Sequence, residues 1–255
     1  MKPIFSHNMA LDYNEVAKTW LEGDFDPETK CKIIELRNND PAMFEDAFYR
    51  NLEFGTGGLR GVIGAGTNRM NIYTVRRATQ GFADYINEAY KDPSVAISFD
   101  SRIKSDTFSK AAAGVFAANG IHVHIYPELM PTPMLSFAVR ELKCQAGVMV
   151  TASHNPSKYN GYKAYGADGC QLSVAESEKG IEKVNKLDIF SDVKCMDFDE
   201  AVKNGMVEYI GKEVCDSFYK NVIAEGLNTE LVAKSGLKVV YTPLNGTGNK
   251  PVRHI

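Results

Sequence analysis

Hydrophobic residues in the middle of the chain alternate between short continuous runs and helical spacing, which predicts strands and helices in turn. The runs predict strands over residues 95–99, 121–126 and 146–150. The helical spacing predicts helices over residues 73–90, 107–118 and 131–142. A strand–helix alternation of this kind indicates a parallel sheet covered by helices.

The first fifty residues are predicted to be helical and to form a packing arm over residues 1–50. Asp26 precedes Pro27 and Asp40 precedes Pro41. Each pair combines an acidic N-cap with a proline at the first helical position.

The last fifty residues predict the opening of a second α/β unit. A helix is predicted from Lys212, and an apolar run predicts a strand over residues 237–241. We therefore divide the chain into a helical arm (1–50), a first α/β domain (51–205) and the start of a second domain (206–255).

Composition and charge argue against nucleic-acid and membrane partners. The 255 residues carry 29 basic and 32 acidic side chains, a net charge of −3, so there is no basic surface for phosphates of nucleic acid. No apolar run reaches the roughly 18 residues that a membrane span needs.

Cysteine usage points to a cytoplasmic protein with reduced thiols. The five cysteines form no Cys-x-x-Cys pair, which argues against a zinc knuckle and a disulfide framework. The first ten residues contain no apolar segment, so no signal peptide is predicted.

His122 and His124 share one face of a strand, but no third metal ligand lies nearby in sequence, so we expect a half-exposed strand face.

Candidate chemistry follows two of the predicted strands, where ligands collect in open α/β sheets. Asp100-Ser101-Arg102 follows one strand, and Thr-Ala-Ser-His-Asn-Pro (151–156) follows another. A serine on such a turn has backbone N–H groups nearby that stabilise an anion. The Ser-His dipeptide taken alone is typical of an ordinary turn.

Three longer strings carry a family resemblance. Residues 151–156, followed by Tyr-Asn-Gly-Tyr-Lys (159–163), resemble the active-serine loop of the α-D-phosphohexomutase superfamily, the phosphoglucomutases and phosphomannomutases. Phe-Gly-Thr-Gly-Gly-Leu-Arg-Gly (54–61) resembles its phosphate-contacting loop, and residues 241–248 resemble the opening of its second domain. The leading helices and the Gly-Thr-Gly-Gly string are most similar to the bacterial phosphoglucomutase branch that is related to phosphopentomutases.

The resemblance implies a mixed, mostly parallel sheet covered by helices, together with the start of a second, similar domain. It also implies interconversion of glucose 1-phosphate and glucose 6-phosphate through a phosphoserine and a bisphosphate intermediate. A sugar 1,6-bisphosphate would act as primer. Mg²⁺ would bridge the phosphoserine and three acidic side chains. The implied partner is a small sugar phosphate, and nothing in the sequence indicates an obligate protein partner.

The resemblance also assigns roles to individual residues. Ser153 would carry the phosphoryl group and bind the metal through it, Lys163 would act as acid/base and charge partner, and His154 would orient the loop or contact the phosphoryl group. Phosphate binding would involve Arg60, Asn155 and Arg102. For Arg102, a local ion pair with Asp100 is an equally good expectation.

One family motif is absent from the 255 residues: the metal-binding loop Asp-Gly-Asp-x-Asp-Arg. The sequence therefore predicts an N-terminal piece of a longer enzyme that is inactive by itself. A phosphomannomutase, a phosphopentomutase and a non-catalytic sugar-phosphate-binding fragment remain as alternatives. A serine hydrolase is disfavoured, because no Gly-x-Ser-x-Gly surrounds Ser153.

Overall fold

The computed structural model describes residues 12–55 and 57–255. Its first part contains three helices: α1 (Tyr13–Glu22), α2 (Pro27–Asn39) and α3 (Pro41–Phe48). The predicted caps are confirmed, because Asp26 accepts a hydrogen bond from the Thr29 amide at 2.8 Å and Asp40 accepts one from the Met43 amide at 3.0 Å. The N-terminal segment for which no signal peptide is predicted lies outside the described residues.

A seven-stranded mixed sheet forms the centre of the molecule. Its strands are β1 (Phe54–Gly55), β2 (Gly58–Val62), β3 (Ser94–Phe99), β4 (His122–Ile125), β5 (Ala146–Val150), β6 (Tyr159–Gly166) and β7 (Val207–Tyr209), in the spatial order β1-β2-β6-β5-β3-β4-β7. Strands β5, β3, β4 and β7 are parallel, whereas β6, β2 and β1 continue the sheet through antiparallel pairs. The predicted mixed α/β fold is confirmed.

Helices cover both faces of the sheet. They are α4 (Ile72–Ala89), α5 (Ser105–Ala118), α6 (Thr132–Glu141), α7 (Val174–Lys186), α8 (Phe198–Lys203) and α9 (Lys212–Ala224). Successive residues of β3 lie on opposite faces of the sheet. Ile97 packs with buried residues of α4 and α5, and the neighbouring Ala96 packs with buried residues of α6 and α9. Two short helices, α10 (Thr229–Lys234) and α11 (Asn249–His254), follow.

The C-terminal prediction was wrong at two places. Residues 207–209 do not belong to a second unit, because β7 pairs with β4 in the central sheet. Residues 237–241 form no strand: none of the described strands pairs with them, and Val240 is 98% exposed. A strand needs a partner for its backbone N–H and C=O groups, and an apolar run does not supply one. The rest of the predicted domain division stays a prediction.

Besides β7, two parts of the sheet were not predicted. The glycine-rich segment around residues 54–62 forms a β1–β2 hairpin, and β6 follows the serine loop and pairs antiparallel with β2.

Among the described residues, no helix is both long enough and apolar enough to cross a membrane.

Candidate active site

Ser153 lies on the loop that joins β5 to the antiparallel β6, at the carboxyl end of the parallel strands. Its φ is 55°, in the left-handed region that non-glycine residues seldom adopt. The Ser153 amide donates to the Thr151 hydroxyl at 2.9 Å. This hydrogen bond helps to hold the strained turn, and the Ser153 residue remains exposed.

Asp100 anchors this turn from the neighbouring strand end. The Thr151 hydroxyl donates to Asp100 Oδ2 at 2.5 Å, and the Ser105 hydroxyl donates to Oδ1 at 2.8 Å. Because β3 and β5 are parallel neighbours, the residues after them meet at the same edge of the sheet. The network therefore runs from Asp100 through Thr151 to the backbone of Ser153.

Arg102 contacts the same loop through backbone carbonyls. Its guanidinium donates to the carbonyls of Ser153 at 2.7 Å, Pro156 at 3.1 Å and Tyr159 at 3.0 Å, and also to that of Asn155. Its Nε lies 3.6 Å from Asp100 Oδ2, and its side chain is 13% exposed. The expected ion pair is present, and the guanidinium is directed at the loop that carries Ser153.

Gly161, in the Asn-Gly pair of the motif, lets β6 pass close to this loop. A Cβ atom at Gly161 would lie 2.5 Å from the Thr151 carbonyl oxygen. The adjacent Asn160 is fully buried and donates to the Ile103 carbonyl and to the Ser105 hydroxyl, both at 3.0 Å. Asn160 and Gly161 therefore help to position the loop.

His154 and Asn155 share a cavity of about 760 Å³ with Ser153 and Arg102. His154 is exposed, and its Nδ1 lies 3.4 Å from Ser153 Oγ, a long distance for a hydrogen bond. Residues 244–247 also line this cavity, and the Ser101 hydroxyl donates to the Asn245 carbonyl.

Arg60 and Lys163 lie together in a second cavity of about 340 Å³, which Arg50 also lines. Burial lowers the pKa of Lys163, the charge of Arg60 lowers it further, and Asp100 opposes the decrease. Lys163 is opposite Met149 in the β5–β6 register, and Met149 lines the Ser153 cavity. The six predicted site residues thus fall into two neighbouring groups.

No role was predicted for Thr151 or Asn160, which hold the loop. Both residues lie inside the strings that resemble the family's active-serine loop. Their position in those strings was therefore the feature from which their role could have been predicted. Asp100 was predicted only as an ion-pair partner of Arg102, and its hydrogen bond to Thr151 links positions 51 residues apart.

The cavity does not by itself offer the donor set that Mg²⁺ prefers. Among the described lining residues, Asp100 is the one carboxylate, and both of its oxygens already accept hydrogen bonds. Mg²⁺ requires octahedral oxygen coordination, in which carboxylates and phosphate replace part of the water shell. A phosphate on Ser153 would add one such group.

The serine loop, the arginine–lysine group and the mixed sheet together define a domain of a phosphosugar-mutase family. Residues 51–188 match the family model described as phosphoglucomutase/phosphomannomutase, alpha/beta/alpha domain I. The chain belongs to this family, as the strings at residues 54–61 and 151–163 predicted.

Relatives and solved structures agree with this assignment. The chain is 42% identical over 196 residues to a phosphoglucomutase of Staphylococcus saprophyticus, covering 77% of this chain and 35% of the relative. It is 36% identical over 247 residues to a "probable phosphoribomutase" of Schizosaccharomyces pombe, covering 92% of this chain and 40% of the relative. A "putative phosphomannomutase" structure from Thermus thermophilus superposes with a TM-score of 0.64 at 27% identity, covering 80% of this chain and 44% of that one.

The chain therefore spans about 35–40% of the length of these two curated relatives. Its relatives are named as mutases of phosphorylated sugars, so the family is one of isomerases.

Proposed function

We propose that this chain is the part of a phosphosugar mutase that carries the phosphoryl group, with Ser153 as the phosphorylated residue. The observation that supports this most is the exposed Ser153 on a left-handed turn held by Thr151, Asp100 and Arg102. A nucleophile in phosphoryl transfer acts chiefly through its position, and this loop fixes the position of the backbone that carries the hydroxyl.

In the proposed reaction, a hydroxyl oxygen of the sugar monophosphate attacks the phosphorus of phosphoserine 153. The bond from phosphorus to Ser153 Oγ breaks, and a bond to the sugar oxygen forms. The sugar hydroxyl loses its proton to a base, and the Ser153 oxygen takes up a proton as it leaves. The products are a free serine hydroxyl and a sugar bisphosphate. The bisphosphate then returns its other phosphoryl group to Ser153 Oγ and leaves as the isomeric monophosphate.

Lys163 and Arg60 are proposed to neutralise charge beside this centre. The lowered pKa of Lys163 makes its ammonium a better proton donor than an ordinary lysine. Arg60 offers a planar fork for phosphate oxygens. Asn155 lines the cavity of Ser153, and the His154 ring approaches its hydroxyl, so both are proposed to contact the transferred phosphoryl group.

The family implies Mg²⁺, which would neutralise the charge of the phosphoryl group. The described residues do not form its site, so we derive no step through the ion. We propose that the aspartates that bind it lie outside the 255 residues and that this chain alone does not turn over substrate. A phosphoserine could still contribute one ligand from residue 153.

Glucose phosphates are the proposed substrates, with a sugar 1,6-bisphosphate as primer. This choice is supported by the Staphylococcus relative, which is named a phosphoglucomutase. The relative from Schizosaccharomyces pombe is named a phosphoribomutase, so pentose phosphates are the alternative.

A turnover assay of the complete enzyme tests the proposal. Conversion of glucose 1-phosphate to glucose 6-phosphate is measured for the wild type, Ser153→Ala and the control Ser157→Ala, whose serine lines the same cavity. We expect Ser153→Ala to abolish turnover and Ser157→Ala to retain it. Conversion of ribose 1-phosphate at a higher kcat/KM would reassign the substrate. Turnover by Ser153→Ala would overturn the mechanism.

A further inference from the structure

A cluster of two histidines and one carboxylate lies on the sheet between β4 and the edge strand β7. His122 and His124 are alternate residues of β4 and therefore share one face. Glu208 of β7 is opposite His124 in the strand register. The backbone of two paired strands thus places all three side chains side by side.

Their donor atoms converge on one point. Glu208 Oε1 lies 3.6 Å from His122 Nε2, and Glu208 Oε2 lies 4.0 Å from His124 Nδ1. The ligand atoms of the three side chains all fall within 4.8 Å of one another. A tetrahedral zinc ion with bonds of about 2.0–2.1 Å holds its ligand atoms about 3.4 Å apart. The two distances from Glu208 to the imidazole nitrogens are longer than this spacing, so binding would draw the side chains closer together.

We propose that His122, His124 and Glu208 bind a late first-row divalent cation, with Zn²⁺ as the preferred ion. Imidazole nitrogens suit zinc and its transition-metal neighbours, whereas Mg²⁺ and Ca²⁺ prefer sets made of oxygen alone. A simple ion pair would need one histidine and one carboxylate. Here a second histidine joins the same point, and its ring lies 4.7 Å from the first, centroid to centroid.

Metal binding replaces one existing hydrogen bond. His122 Nε2 lies 3.0 Å from the Gly205 carbonyl oxygen, to which it donates when it carries the ring proton. To bind the metal through Nε2, the neutral ring carries its proton on Nδ1 instead. The coordination bond then takes the place of the bond to Gly205, with no net loss of a proton.

The proposed site is distinct from the phosphoryl cavity. His122 is opposite Ser94, the first residue of β3, whereas Asp100 follows the last residue of that strand. His124 is opposite Ala96, so at about 3.3 Å per residue the site lies about 13–20 Å from Asp100 along the sheet. The site would fasten the three-residue edge strand β7 to β4, so binding would stabilise the native state.

Calorimetric titration of the chelator-treated 255-residue chain with Zn²⁺ tests this proposal. We expect one ion per chain, a higher Tm with zinc, and affinity at least about tenfold weaker in His124→Ala and in Glu208→Gln. His254→Ala and Glu200→Gln remove an exposed histidine and an exposed glutamate outside the cluster and should bind zinc as the wild type does. Equal zinc affinity in the wild type and His124→Ala would overturn the proposal.

Two further measurements keep the result clear if a variant folds poorly. Co²⁺ added to the wild-type chain should give the visible absorption spectrum of cobalt bound by nitrogen and oxygen ligands. A sulfur-to-cobalt charge-transfer band would show cysteine ligation and overturn the assignment. Anomalous diffraction from zinc-soaked crystals should place the ion between the three side chains. A peak elsewhere, or no peak, would contradict it.

Discussion

The guanidinium of Arg102 donates a hydrogen bond of 2.7 Å to the backbone carbonyl of Ser153. It thus holds the serine from the backbone side and leaves the hydroxyl facing the cavity. The carbonyls of Asn155 and Pro156 in the same loop, and that of Tyr159 at the start of β6, also accept from this guanidinium. Arg102 is therefore a positioning residue, and its planar array of donors suits several acceptors at once.

Replacing Arg102 should loosen the serine loop. In Arg102→Ala we expect the hydrogen-bonded backbone amides of Ser153, Asn155 and Tyr159 to exchange with solvent at least about tenfold faster. The reason is that hydrogen bonds from charged donors contribute about 1.5–3 kcal/mol each. Arg102→Lys should restore part of the protection, because one ammonium cannot reach all four carbonyls. Hydrogen exchange followed by mass spectrometry measures this. Arg140→Ala is the control, since Arg140 Nε donates to one carbonyl in its own helix; unchanged exchange in Arg102→Ala would refute the positioning role.

The charge of Arg60 should contribute to the lowered pKa of Lys163. Burial is the largest cause of the lowered pKa, and Arg60 is the next. Arg60→Gln should therefore raise the pKa of Lys163 toward its ordinary value without restoring it. NMR titration of ¹³C-labelled lysine side chains in the 255-residue chain measures the shift. Arg50→Gln, in the same cavity, should leave this pKa unchanged; a fall in Arg60→Gln would contradict the assignment.

Because of Asp26, the stability of the N-terminal helices should depend on pH in the acidic range. Burial alone would raise its pKa, but hydrogen bonds from Thr29 and Tyr73 lower it to about 2. Because the folded-state pKa lies below the unfolded value of about 3.9, the stabilisation is present above that value and is lost as the pH falls toward 2.

The variant Asp26→Asn keeps an N-cap but has no charge to titrate. Urea unfolding between pH 6 and pH 2 should show that the wild type loses more stability than the variant over the lower part of this range. Parallel stability curves for the two proteins would show that Asp26 does not contribute in this way.

Much of the parallel half of the sheet could be predicted from the sequence. Residues 146–150 were predicted as a strand, and β5 has these bounds, because a fully buried strand is a continuous apolar run. The antiparallel strand β6 was missed, since it contains Asn160, Gly161 and Lys163, whose types are unfavourable in strands. Asn160 and Gly161 lie beside the serine loop, and Lys163 lies in the cavity with Arg60.

The serine cavity and the histidine cluster both depend on contacts between residues far apart in the sequence, which a sequence pattern does not predict. Asp100 contacts Thr151 across 51 positions, and Glu208 meets His124 only because β7 pairs with β4. For residues 237–241, a strand was predicted that the structure does not contain. The apolar pattern of a strand is present there, but a strand also needs a neighbouring strand to pair with, and the pattern does not show whether one is present. Ser153 and Lys163 could be predicted as site residues because both lie in short strings of adjacent positions, residues 151–156 and 159–163.

Phosphopeptide mapping of the complete enzyme tests the central claim most directly. The purified protein is incubated with glucose 1,6-bisphosphate and Mg²⁺, digested and analysed by mass spectrometry. We predict a single phosphoryl group on the peptide that contains residue 153, present in the wild type and in Ser157→Ala and absent from Ser153→Ala. A phosphorylated residue other than Ser153 in the wild type, or equal phosphorylation of Ser153→Ala, would contradict the account.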